Sequence, residues 1–520
     1  MPNKNHIMVA GSHRRRRRGR VGRLPAKWVA AAFAGLAAIP VIAGLPVSAG
    51  AYNPTDDPYS MASITEMMGA VTWWEQGYTG RGVDVALIDT GVAPVVGLSG
   101  PGKLIHGPDL SLESQAPALA RLDTNGHGTF MAGLIAGKDP GFITPYQGST
   151  PSLYRGVAPD ARIVSVKVGT ADGGVDVSQV IAAIDWVVQH KNDNGMNIRV
   201  INLSYGTNST QSWEVDPLSY AVEQAWKRGI VVVAAAGNSG YQRGSNAPGL
   251  ANPAYNPYVI AVGGYDTMKT AARTNDVVGT YSASSNLGSA KRPDFVAVGS
   301  HVQGLRVPNS HTDATHPEGR IDARYFRGSG TSQAAAIASG AAALILQKYP
   351  GLSPGEVKQF IVGDATKISA ASTSAQGAGE VNLTSLATQT PTADTQAFTT
   401  GSGTGQLEGS RGQDHLSRDG VALTGEIDVF GKPFNSAAIA TAEAAAASWS
   451  GGSWNGSTWS GSTWSGSTWS GSTWSGSTWS GSTWSGSTWS GSSWSGSSWS
   501  GSSWSGSTWS GNSWATGSWS

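Results

Sequence analysis

The chain has 520 residues, 35 Lys and Arg against 34 Asp and Glu, a formal charge of +1 and no cysteine. That length accommodates two or three domains, or one large α/β domain with appendages, and the missing cysteines exclude disulfides and thiolate zinc sites. Nine basic residues precede residue 28 and residues 1–51 carry no acid, so 26 basic face 34 acidic residues in the remainder, a balance of −8 that makes nucleic acid a poor partner.

Arg14 to Arg18, Arg20, Arg23 and Lys27 form a positive region, Trp28 to Val47 is apolar and uncharged, and Ala49-Gly50-Ala51 offers small residues for cleavage. This layout predicts a signal peptide over 1–51, and hence a secreted protein, extracellular or cell-wall associated, with no stable membrane span after cleavage. The rival readings are a retained anchor, against which Pro40 and Pro46 interrupt the apolar run, and a nucleic-acid role for the arginines. Residues 52–63 read as a short N-terminal extension.

From Tyr78 to Ala387 strand-like and helix-like segments alternate. Val83 to Ile88, Ile163 to Val168, Val200 to Leu203, Ile230 to Ala236 and Val259 to Val262 are apolar runs bounded by Gly, Asn or Asp, as in strands buried on both faces. Val177, Val180, Ile181, Ile184, Val187 and Val188 follow a one-faced helical period, and Pro217 to Arg228 reads as a helix ended by Gly229. Ser353-Pro354 reads as an N-cap followed by proline at the first helical position. The alternation predicts an α/β fold with a mostly parallel central sheet and helices on both faces, over residues 64–388.

Thr, Ser, Gly, Ala and Gln dominate residues 389–448, with a short island at Glu426 to Phe430, and the stretch reads as linker. Tryptophan then recurs every five residues, fifteen times, through a low-complexity tail over 449–520. Five matches neither 3.6 nor 2, and in an extended chain successive tryptophans would point to opposite sides. No aliphatic residues accompany them, so a conventional core is not expected. The tail reads either as a multivalent aromatic surface for glycan or cell wall, or as a flexible segment with sticky rings.

Three motifs carry reactive side chains. Asp89 ends an apolar strand and precedes Thr90-Gly91, where α/β active sites form, although an Asp before Gly is also a common turn. His127 lies between glycines before an apolar helix-like run. Ser332 opens a long Ala-rich segment, where free backbone N–H groups can hold an oxyanion; an ordinary N-cap is the alternative, and Ser329 and Thr331 compete with it. Asn238 follows the strand-like Ile230 to Ala236 and could donate its amide to an oxyanion, or simply form a turn.

Ala86-Leu87-Ile88-Asp89-Thr90-Gly91, Asn125-Gly126-His127-Gly128-Thr129, Ala235-Ala236-Gly237-Asn238 and Gly330-Thr331-Ser332 together resemble the subtilisin family of serine proteases, in the same order. The resemblance implies a triad of Asp89, His127 and Ser332, with Asn238 in the oxyanion hole. It further implies that Ser204-Tyr205-Gly206 pairs with a polypeptide substrate, that Gly173-Gly174-Val175 approaches from the other side, and that Ala235-Ala236-Gly237 lines the main specificity pocket. These residues are small and neutral, so apolar or broad preference before the cut is expected. Asn252-Pro253-Ala254 resembles the segment closing that pocket, where a cis proline fits. Phe130, Met131 and Gln333 to Ile337 depart from the family's usual residues.

The chemistry requires no cofactor. Calcium is common in the family, but no complete ligand set is identified here. His311, Asp313, His316 and Glu318 suggest a metal site, with a polar surface insertion the better reading, so no metal ligand is assigned. The leading function is a secreted endopeptidase. The alternative is an inactive protease-like protein that binds a surface through its tryptophans.

Overall fold

The computed structural model describes residues 52–458 apart from 115, 117–118, 144–145, 147–151, 241–248, 286–290, 395 and 419–420; beyond 458 it describes 468–469 and 472–473. The expected signal peptide and most of the tryptophan tail lie outside the described residues. Among the described residues, no helix is long and apolar enough to cross a membrane.

Eight strands form the central sheet: β1 (Asp84–Asp89), β2 (Leu104–Asp109), β3 (Arg162–Lys167), β4 (Ile198–Leu203), β5 (Val231–Ala235), β6 (Ile260–Asp266), β7 (Val277–Val278) and β8 (Phe295–Val298). Their order is β2-β3-β1-β4-β5-β6-β7, with β8 also on β6, and every pair is parallel except β6 with β7. The Val- and Ile-rich runs of β1 and β5 are wholly buried, because helices cover the sheet on both faces. Sequence patterning missed β2, a partly exposed edge strand interrupted by Gly107 and Pro108.

The order reverses at β1. The chain leaves β1 to build β2 and β3 on one side, then returns to place β4 on the other. In such sheets the crevice at the strand ends opens at this switch point, and Asp89 stands at the carboxyl end of β1. The predicted helices are present as Val177–His190, Pro217–Lys227 and Pro354–Gly363, the last with the Ser353–Glu356 capping box.

The linker expectation for 389–448 needs correction. Leu407, Leu416, Leu423, Val429 and Phe430 join the buried core, and the helices Leu407–Arg411 and Ser436–Ala444 lie against Val177–His190 and Pro217–Lys227. A few apolar residues far apart in a Gly- and Ser-rich stretch each fill a site without producing any periodicity.

The first tryptophan repeats also differ from expectation. Strands Trp449–Ser450, Ser453–Trp454 and Ser457–Thr458 form a small antiparallel meander. Its two-residue turns, Gly451-Gly452 and Asn455-Gly456, all have φ between 47° and 78°, the signature of tight hairpins. Trp449 pairs directly with Trp454, so both lie on one face of the sheet rather than on opposite sides. Reversing turns account for a spacing of five: with one further pair beside a two-residue turn, positions i and i+5 stand opposite each other, as 449 and 454 do. The pairs Thr468↔Thr473 and Trp469↔Ser472 repeat the register of Ser453↔Thr458 and Trp454↔Ser457.

Trp454 is fully buried, against Phe434 and with its indole N–H 2.7 Å from Asp185 Oδ2. Burial pushes the Asp185 carboxyl up to about 7, against the pull of the Trp454 hydrogen bond and the Arg228 charge. Glu443 beside it is raised by burial and by Asp185. A raised carboxyl pKa favours the docked state fully below the free-carboxyl value of about 4, and that gain is lost as pH rises to about 7. Hydrogen-exchange protection of residues 449–458, corrected for intrinsic rates, should therefore fall more than about tenfold between pH 4 and pH 7. Asp185→Asn should flatten the profile; an equally steep fall in that variant would reject the assignment.

Candidate active site

Asp89 enters the site from β1. The helix His127–Ala136 begins on the histidine itself, and the helix Thr331–Lys348 carries Ser332 at its second position. The two helices pack together. His127 Nδ1 lies 2.8 Å from Asp89 Oδ1 and 3.1 Å from Oδ2, with both side chains buried. Burial pushes the Asp89 carboxyl up, while the imidazole pulls it down. The Thr90 N–H also donates to Asp89 Oδ1, at 2.7 Å.

Gly128 makes this approach feasible. A Cβ there would stand 2.1 Å from Gly91 O and 3.1 Å from Asp89 Oδ1. Any side chain would push the helix off β1 and open the carboxylate–imidazole pair.

Ser332 Oγ lies 3.4 Å from Ser204 O, and Ser204 Oγ donates to Ser332 O at 3.1 Å. Its rivals have structural partners instead. Thr331 Oγ1 donates to Asn238 Oδ1 at 3.0 Å and accepts from Gly237 N, while Ser329 Oγ accepts from His301 N at 2.8 Å. Asn238 Oδ1 accepts from Thr331 N as well, at 2.9 Å, so Thr331 fixes which end of the amide can donate elsewhere.

Ser204, Tyr205 and Gly206 continue directly from β4, and Ala235, Ala236 and Gly237 continue β5 beside it. All six are buried. Tyr205 is wholly buried. The Asn252–Pro253 bond is cis, as the family resemblance allowed, and Thr207 and Asn252 pair as a bridge. Asp313 is buried and paired with the guanidinium groups of Arg306 and Arg320, at 2.6 and 2.8 Å.

Sequence reasoning missed three buried charges beneath the site. Asp123 accepts from Thr129 N and Gly126 N, both at 2.7 Å, and from Thr90 Oγ1 at 2.8 Å, tying the end of β1 to the start of the histidine helix. Lys167 Nζ lies 2.9 Å from Glu113 and donates to Thr90 O and Leu122 O at 2.8 Å. Burial works against the Lys167 charge, yet Glu113 and Asp109 outweigh it and raise its pKa. The signal was available: Lys167 is the only charge inside the apolar run Ile163 to Val168.

An imidazole oriented by a buried carboxylate at a sheet's switch point, on a helix packed against one that a serine opens, is an arrangement used by serine hydrolases of the α/β class. The comparison with known proteins narrows the class. The subtilase family matches residues 80–379, more than half of the chain, and the chain belongs to that family of subtilisin-like serine proteases. It is 36% identical to the serine protease AprX of Bacillus subtilis (strain 168) over 311 residues, covering 59% of this chain and 66% of AprX, just under two thirds. It is 33% identical to subtilisin DY of Bacillus licheniformis over 296 residues, 56% of this chain and 87% of that protein. Subtilisin BL of Lederbergia lenta is 33% identical over 309 residues, 59% of this chain and 91% of that protein.

Proposed function

We propose that the chain is a secreted serine endopeptidase that hydrolyses peptide bonds through an acyl-enzyme. The observation that carries this reading is the buried His127–Asp89 pair, with Nδ1 to Oδ1 at 2.8 Å, held against the helix of Ser332. Ser332 attacks the scissile carbonyl. His127 takes its proton and returns it to the leaving amine. Asp89 orients the imidazole and stabilises its charged form. The Ser332 N–H and the Asn238 amide hold the oxyanion. The substrate joins Ser204-Tyr205-Gly206 as an added strand, with Gly173-Gly174-Val175 opposite. Small, neutral Ala235, Ala236 and Gly237 favour a broad or apolar residue before the cut. No cofactor enters these steps.

A serine-directed fluorophosphonate tests this reading. It should label Ser332 in the unaltered chain and fail to label Ser332→Ala or His127→Ala. A folded, unlabelled chain would leave the surface-binding alternative in its place.

The tail is proposed to retain the enzyme on cell wall or glycan. Because Trp449 and Trp454 pack on the body, the informative deletion is 459–520. It should cut retention on a cell-wall matrix while peptide hydrolysis stays within about twofold, since no removed residue belongs to the proposed site. Unchanged retention would reject the role.

A further inference from the structure

Residues 401–430 lie outside the segment matched by the family, 80–379, yet they fasten onto both proposed walls of the substrate cleft. One wall starts at Ser204, beside Ser332, and runs through Gly206 to Thr207. There Thr207 Oγ1 donates to Ser410 O at 2.6 Å, Ser209 Oγ donates to Gly409 O at 2.6 Å, and Gln413 N donates to Asn208 Oδ1 at 2.8 Å. The other wall, Gly173 to Val175, leads into Asp176, which accepts from Arg411 Nε at 2.7 Å and from Nη2 at 3.3 Å. One short segment thus grips both walls.

Arg411 is built into this position. Its side chain is fully buried, and its five N–H donors match five acceptors: two at Asp176, with Glu408 at 3.2 Å, Gly425 O at 2.7 Å and Ile427 O at 2.5 Å. Burial works against the charge of Asp176, but the guanidinium holds its carboxyl below the ordinary value. The neighbouring Ser410 Oγ donates to Asp216 at 2.6 Å, and Asp216 accepts from Asn252 Nδ2 at 3.0 Å beside the cis proline. Gly412 closes the turn at φ 64°, where a Cβ would meet Asn208 Oδ1 at 2.4 Å.

We propose that residues 407–414 are a brace that sets the separation of the two substrate walls, and that Arg411 is a positioning residue for extended peptides. This rests on the assignment of those walls under the proposed function. Arg411 touches no reacting atom. A peptide long enough to pair with both walls depends on their spacing, whereas a substrate with a single residue before the cut does not.

The test compares a hexapeptide substrate with a single-residue acyl substrate in the full chain. Arg411→Ala should raise KM for the hexapeptide about tenfold, leaving its kcat, the short substrate and the fluorophosphonate labelling rate within about twofold. Arg411→Lys keeps the charge but loses the planar fork, and should move KM in the same direction by less. Ser209→Ala, which removes the tie to Gly409 O outside the wall and leaves Arg411 intact, gives the same readout if Arg411→Ala misfolds. Equal effects on long and short substrates, or none on either, in a folded variant would overturn the brace while leaving the protease reading intact. An unlabelled unaltered chain would overturn both.

Discussion

Ser332→Ala and His127→Ala are each expected to lower kcat for peptide hydrolysis by about a million-fold, the scale known for the corresponding groups of subtilisin. The physical basis is that the two act as one unit. A serine hydroxyl is a weak nucleophile until a base takes its proton, and an imidazole without the hydroxyl has nothing to activate. The double variant should therefore be no slower than either single variant. Asp89→Ala should cost less, about ten-thousand-fold, because it removes orientation and charge stabilisation but leaves base and nucleophile in place. Steady-state hydrolysis of a chromogenic peptide measures all four variants, with thermal melting as the control for folding. Substantial turnover by folded Ser332→Ala would refute the assignment and move attention to Ser329 or Thr331. Both have local partners that argue against that outcome: His301 for Ser329, and Gly237 with Asn238 for Thr331.

The proposed reactive residues stand out in the sequence because each stands at a discontinuity. Asp89 ends an apolar run, His127 sits between glycines, and Ser332 precedes an alanine-rich helix. Such positions put a side chain at a strand or helix end and leave a local mark. The apolar runs of β1, β3, β4, β5 and β6 were legible, whereas partial exposure removed the pattern of edge strand β2, and β7 and β8, at two and four residues, were too short to show one. The brace left no local mark at all. Arg411 and Asp176 are 235 residues apart, and three of the five Arg411 bonds go to Glu408 and to two backbone carbonyls. The docked tryptophan was hidden differently. Its carboxylate partner, Asp185, stands within an amphipathic helix and reads as one more polar position.

Lys167→Met should destabilise the fold by about 3–5 kcal/mol, the range expected when one partner of a buried ion pair is removed. Glu113 is fully buried, and among the described residues Lys167 is the cation paired with it, so removing the ammonium strands its charge. Thr90 O and Leu122 O lose their donor in the same step. Thr90 follows Asp89 directly, and its hydroxyl also donates to Asp123, which holds the start of the histidine helix. Loss of stability should thus come with a lower kcat in the fraction that remains folded. Glu113→Gln in the Lys167→Met background removes the stranded charge, so the double variant should recover part of the stability, because the penalty lies mainly in the unpaired charge rather than in the missing attraction. The carbonyls stay without their donor, so kcat should not recover with it. Denaturant unfolding and peptide hydrolysis on the same preparations separate the two effects. A double variant less stable than Lys167→Met alone would reject the buried-charge account, and a full recovery of kcat would show that the lysine's hold on Thr90 does not position Asp89.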